Sequence, residues 1–222
     1  MKISSFLATP ILIGVLALAS TGCALFKKDC APDASKPIGG KAINLLQFRD
    51  DVNATRSAIN RTGDALTRLP QAPNAQAAYV NYSSELASLN KLAKRTSEES
   101  AEVRNGGKAL FAQWEMETRS IKNPDISAVA DLRRTELQKT YNAMLTPLID
   151  ARASLTPLLS DFSDIQKVLA LDLTPAGIKA VGQQIGAVNE SAAATVKTMD
   201  KLALELDKIA AALPPVTVAP VK

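Results

Sequence analysis

The chain has 222 residues, 46% of them hydrophobic but only 4% aromatic, with 26 Lys and Arg against 22 Asp and Glu. Ala, Leu, Val and Ile carry the apolar content, which is the composition of helices packed on helices. The chain has no histidine. That excludes a Ser-His-Asp triad, a Cys-His pair and any His-ligated zinc, and a net charge of +4 is too slight an excess to mark a nucleic-acid binder.

Residues 1–22 read as a secretory leader. Lys2 supplies the positive start, Ile11 to Ala19 form an apolar run too short to span a bilayer, and small residues follow at Ser20-Thr21-Gly22 before Cys23. This pattern resembles a bacterial lipobox, with Ser20 where leucine is usual, and it implies that Cys23 carries a diacylglycerol. Ala24 follows the cysteine in place of Asp, and the resemblance then implies the outer membrane, facing the periplasm. Acyl chains contribute about 0.8 kcal/mol per buried methylene, so several on one cysteine hold a chain at the membrane.

Residues 23–40 read as a flexible linker, with Pro32, Pro37 and Gly39-Gly40. Lys27-Lys28 stand beside the anchor, either against anionic headgroups or in solvent. With Cys23 lipidated, Cys30 has no partner in its own chain. A bridge to a second chain and an unpaired thiol both remain open. Gly39-Gly40-Lys41-Ala42 lacks the first glycine of a phosphate loop.

The bundle domain is predicted over 41–213. In 41–69, Leu45, Val52, Ile59 and Leu66 recur every seven residues, with Phe48, Thr55, Thr62 and Leu69 between them. Pro70 to Asn74 should reverse the chain. A second helix over 75–122 keeps one register: Tyr79, Leu86, Ala93, Ser100, Gly107, Trp114 and Ile121, with Tyr82, Leu89, Thr96, Val103 and Leu110. Gly106-Gly107 marks a bend or the close approach of another backbone. Arg95 is expected to pair with Glu99 one turn on. Phe111 and Trp114, three residues apart, either fill the bundle near the glycines or contact a partner.

Asn123-Pro124-Asp125 is a turn. The third helix, 126–171, carries Tyr141, Leu145, Leu148, Leu155, Leu159, Phe162 and Leu169, and should kink at Pro147 and Pro157 without breaking. Thr174 and Pro175 suit the cap and first residue of a fourth helix running to Leu213. Its seam is Ile178, Ile185, Ala192, Met199, Leu206 and Leu213 with Val181, Val188, Thr195, Leu202 and Ile209. Residues 214–222 form a mobile tail.

Two pieces of this chain resemble a known family. They are Ala109-Leu110-Phe111 with Trp114-Glu115 ahead of Asn123-Pro124, and Pro157-Leu158-Leu159 with Phe162 and Asp164 running on to Asp172-Leu173-Thr174. Both are similar to bacterial lipoproteins catalogued as domain of unknown function 2959, over about residues 40–213. The resemblance implies a helical, envelope-associated protein and brings no activity with it. A polar His-Asn stretch expected before the last helix is Leu171-Asp172 here.

The expected architecture is all-α, an elongated antiparallel bundle of about four long helices with coiled-coil-like packing. Unequal helix lengths should leave residues 115–132 projecting as a two-helix hairpin, with Trp114 at its base. No catalytic, metal or cofactor residue is expected. The paired acids read as solvated faces, among them Asp161 with Asp164 and the group Glu98, Glu99 and Glu102. The functional expectation is a lipid-anchored, non-enzymatic interaction or structural module with an envelope protein partner and no nucleic acid. The alternative is a periplasmic carrier that holds an apolar ligand inside the bundle.

Overall fold

The computed structural model describes residues 44–212, all within one compact unit, Lys36–Lys222. The leader, Cys23, Cys30, the linker, Leu213 and the 214–222 tail lie outside the described residues.

Among the described residues every regular element is helical: α1 Leu45–Arg68, a 3-10 turn Leu69–Gln71, α2 Ala75–Ser120, α3 Pro124–Leu171, α4 Pro175–Ala180 and α5 Gly182–Ala212. The starts of α1, α2, α3 and α4 are each capped by a residue whose short side chain satisfies a free amide. Asn44 accepts from Gln47 N, Asn74 from Ala77 N, Asn123 from Asp125 N and Ile126 N, and Thr174 from Gly177 N. Pro70 sits in the 3-10 turn, and Pro124 and Pro175 open their helices, where a missing amide goes unnoticed.

The four long helices form a square in the order α1, α2, α3, α5, each packed on two neighbours. Partners step in opposite directions along every pair, so all neighbours are antiparallel. Arg61 meets Glu85 at 3.0 Å and Thr55 meets Thr96 at 2.8 Å between α1 and α2. Tyr82 donates to the Phe162 carbonyl at 2.6 Å and Tyr141 to the Arg104 carbonyl at 3.0 Å between α2 and α3. Ser154 meets Thr198 at 3.0 Å between α3 and α5, and Arg49 meets Asp207 at 3.2 Å between α5 and α1.

All eight positions of the first expected seam, seven in α1 and Leu69 in the 3-10 turn, are buried, and so are the ten described positions expected of the fourth helix. In α3 the seam differs from expectation. Its buried residues are Leu137, Tyr141, Met144, Leu148, Ala151, Leu155, Leu158, Phe162, Ile165 and Leu169, alternating steps of four and three. Leu145 and Leu159 are half-buried at its margin. The helix passes through Pro147 and Pro157 without a break, because the seam on either side stays packed.

The fourth helix is not one helix. It breaks at Val181 (φ −94°, ψ 5°), between α4 and α5. Gly182 follows with nothing within 4 Å of where its Cβ would stand, so neither propensity nor packing holds the helix there. Ile178, Val181 and Ile185 nevertheless stay buried across the break. At the reversal before it, the Asp172 carboxylate accepts from Thr174 N at 2.9 Å, and hydrogen bonds from Thr174 hold its pKa below the usual carboxylate value.

Arg95 also departs from expectation. It turns across to α1 and pairs with Asp51, which is 2% exposed, and not along its own helix to Glu99. A buried carboxylate needs a cation more than a solvated one does. Glu99 is left with a buried, unpartnered Oε2. Burial pushes its carboxyl pKa up, the Arg95 charge draws it down, and Glu102 pushes it up again.

Two predictions follow from this packing. Leu202, deep in the α5 seam, should lose about 2–5 kcal/mol on truncation to Ala. Thr62 is as deeply buried, but its hydroxyl bonds only the Ala58 carbonyl of its own helix at 2.8 Å, so Thr62→Ala should cost less than about 1 kcal/mol. Denaturant titration of both variants gives the comparison, and equal losses would contradict it. For Glu99, a raised folded-state pKa means that the fold binds the proton more tightly than the unfolded chain. The contribution is best at acid pH and falls as pH rises through the shifted value. Glu99→Gln should therefore raise the melting temperature at neutral pH and leave it unchanged near about pH 4; a larger gain at acid pH would contradict the assignment.

Candidate functional site

α2 and α3 are the longest helices, and they outrun their neighbours. Arg49 and Asp51 in the first turns of α1 meet Asp207 of α5 and Arg95 of α2. At equal rise per residue, Leu45 then lies level with about residue 101 of α2. α5 ends at Ala212, whose carbonyl accepts from Arg133 Nη2 of α3 at 2.7 Å. Beyond that level only α2 and α3 continue, as an arm. At its tip Asn123 caps α3, the Ile121 amide closes on the Thr118 carbonyl at 3.2 Å, and Ser127 Oγ donates to the same carbonyl at 3.2 Å.

The base of the arm is built on Gly107. A Cβ there would collide with the ring of Tyr141, so it is an aromatic ring, not another backbone, that approaches the glycine. The Tyr141 hydroxyl lies within hydrogen-bonding distance of the carbonyls of Val103, at 3.3 Å, and Arg104, at 3.0 Å. Burial raises the phenol's pKa, with Arg104 drawing it back. The Phe111 ring stacks above at 5.4 Å between centroids, tilted by 56°.

Burial changes pattern from this layer onward. Between Gly107 and Ser120 the buried residues are Phe111 and Thr118, which face α3, while Leu110, Trp114 and Ile121 of the expected register are half-exposed. With α1 and α5 gone, only α3 is left to cover α2. Phe111 is thus a core residue, 7% exposed. Trp114 packs against the core with one side and stays partly open with the other. Met116, Ile126, Val129 and Leu132 are exposed large apolar side chains, at 58–70%.

A cleft of about 610 Å³ lies along the arm, lined by Glu115, Thr118, Arg119, Asp131 and Arg134 among others. Four of its charged residues pair with one another, Arg119 with Glu115 at 2.5 Å and Arg134 with Asp131 at 2.7 Å, and Arg134 also donates to Gln138 at 2.9 Å; Lys122 lines the cleft as well. Elsewhere, Asp164 is held by Lys167 at 2.8 Å. The gap inside the bundle beside Phe48, Thr96, Leu148 and Met199 is about 30 Å³, room for about one water. The unequal helix lengths place residues 115–132 in a projecting hairpin but do not tell which of its side chains stand exposed. They became visible once the ends of α1 and α5 were placed.

The fold and this arm define a class: an all-α, four-helix bundle in which one antiparallel pair is prolonged past the other. The chain belongs to the family described as protein of unknown function (DUF2959), whose model matches residues 47–213. No curated protein and no solved structure matches it.

The Gly107 layer yields a paired prediction. Gly107→Ala should destabilise the protein by about 1–3 kcal/mol, because Tyr141 is held by Phe111 and two carbonyls and has nowhere to move. Gly186→Ala, where nothing lies within 4 Å, should stabilise it by about 0.5–1 kcal/mol. Thermal melts of the two variants should move in opposite directions, and a shared direction would show that Tyr141 does not pin the glycine.

Proposed function

We propose that this chain is a lipid-anchored protein of the bacterial envelope, tethered through Cys23 to the outer membrane on its periplasmic side. In this reading it works without catalysis and without a cofactor, as a helical module whose α2–α3 arm contacts another envelope component. The leader pattern and Ala24 support the address. Among the described residues no helix is long and apolar enough to cross a membrane.

The observation that carries the contact role is the arm itself. It holds half-exposed Trp114 and four exposed large apolar side chains where the neighbouring helices have stopped. In this reading those side chains are the contact surface, a role that apolar surface takes where it is contiguous. The carrier alternative has no comparable support, since a gap of about 30 Å³ is far below the roughly 300 Å³ at which ligand cavities begin.

Cys23→Ala tests the anchor. The variant should move from the membrane fraction to the soluble envelope fraction while the helical domain stays folded. Unchanged membrane association with the leader removed would end the lipid-anchor reading.

A further inference from the structure

We propose that the end of the bundle opposite the arm holds a single-chain aliphatic anion of the fatty-carboxylate class, with its chain between the 3-10 turn and α4 and its charge at Lys179. The proposal rests neither on the lipid at Cys23 nor on the arm.

The break in the fourth helix gives the first observation. Its apolar spacing runs through Ile178, Val181, Ile185 and Val188 without a slip, and all four are buried. The seam therefore does not call for a break, and Gly182 only permits one. Yet α4 ends at Ala180 and α5 begins at Gly182. A departure that the local pattern does not require is a mark of functional sites.

Beside this break lies a cavity of about 430 Å³, above the roughly 300 Å³ at which ligand sites begin. Leu69 and Pro70 of the 3-10 turn and Ala75 at the start of α2 line it, with Leu173, Ile178 and Lys179 from the reversal and α4. Leu69 and Ile178 are buried, and Ala75 and Leu173 half-buried. Gly182 lines it too, and nothing lies within 4 Å of where its Cβ would stand. Room for a side chain is thus left unfilled beside the cavity. The site is distinct from the gap of about 30 Å³ inside the bundle, since it lies where α1 and α3 end.

Charge selects the ligand. Apolar walls take an aliphatic chain. Lys179 is the one charged residue of the lining, and it makes no ion pair among the described residues. Asp172, seven residues before it, is not part of the lining, and its carboxylate accepts from Thr174 N. A lysine stem lies along apolar surface while its ammonium stays in water, so a charged head at the mouth of the cavity meets a cation. One unpaired cation balances one negative charge. A carboxylate matches it, whereas a phosphate monoester brings about −1.5 to −2. A surface ion pair contributes little, so the chain supplies most of the affinity and Lys179 the choice of head group.

Titration calorimetry of the full-length Cys23→Ala chain, which has no acyl group of its own to compete, tests this with decanoate and decanol below their aggregation limits. Decanoate should bind saturably, one molecule per chain, and decanol about fivefold more weakly. Lys179→Gln should bring decanoate to the level of decanol and leave decanol unchanged. Gly182→Leu, which sets a side chain beside the cavity, should weaken both at least tenfold. Gly186→Leu, one turn further on and equally free of neighbours, should change neither. The proposal is overturned by an absence of saturable decanoate binding, by equal affinity for acid and alcohol, by a preference that survives Lys179→Gln, or by binding that Gly182→Leu leaves intact. Retention of the Cys23→Ala chain at the membrane bears on the anchor alone.

Discussion

Everything in this molecule depends on burying one apolar seam per helix, repeated every three and four residues, against three other such seams. The aromatic content is too low for a few large rings to hold a core, so stability is spread along the helices in leucine-sized increments. A seam of this kind forces neighbours to lie nearly parallel or antiparallel, because only then do successive layers stay in contact. The short reversals at Pro70 and Pro124 choose antiparallel. The seam is strong enough to carry α3 through two prolines and to keep Val181 buried where α4 and α5 part.

The polar residues inside the bundle show the same constraint from the other side. Thr55 and Thr96 satisfy each other across the α1–α2 contact, and Thr62 and Thr195 return their hydroxyls to their own helices. Asp51 takes Arg95. A layer that contains hydroxyls and one ion pair discriminates between registers more sharply than a uniform leucine layer, because a shifted register would leave these groups buried and unpaired.

Tyr141 closes the four-helix part of the core. Its ring fills the space that Gly107 leaves open, its hydroxyl reaches carbonyls of the same turn, and Phe111 covers it from above. The layer sits where α1 and α5 stop, so the bundle ends on an aromatic seal and not on a ragged edge. Past the seal, α2 and α3 need only each other. Their mutual face is buried through Phe111, Thr118 and Leu137, while the face that would meet two more helices stays available.

The first three long helices, the Thr174 cap, the reversals at Pro70 and Pro124 and the seams of α1 and of the expected fourth helix were legible in the sequence, because each rests on local chemistry: heptad spacing, threonine ahead of a helix, proline at turns and first positions; the Asn caps and the break at Val181 were not read from it. The family was legible for a related reason, since Phe111, Trp114, Phe162 and their neighbours mark the closing and central layers of this bundle. Other features needed the partner helices to be placed. The burial of Met144, Leu158 and Ile165 over Leu145 and Leu159 follows from which side of α3 its neighbours occupy. Arg95 pairs with Asp51 because burial makes the distant carboxylate the more demanding one, and Gly107 answers to a ring 34 residues further on. The division of α2 into a covered stretch and an open arm follows from where α1 and α5 end, as the unequal helix lengths read from the sequence led one to expect; which side chains stand exposed there needed the neighbours in place. Residue spacing along one helix records which positions suit a core; only the neighbouring helices decide how far that core extends.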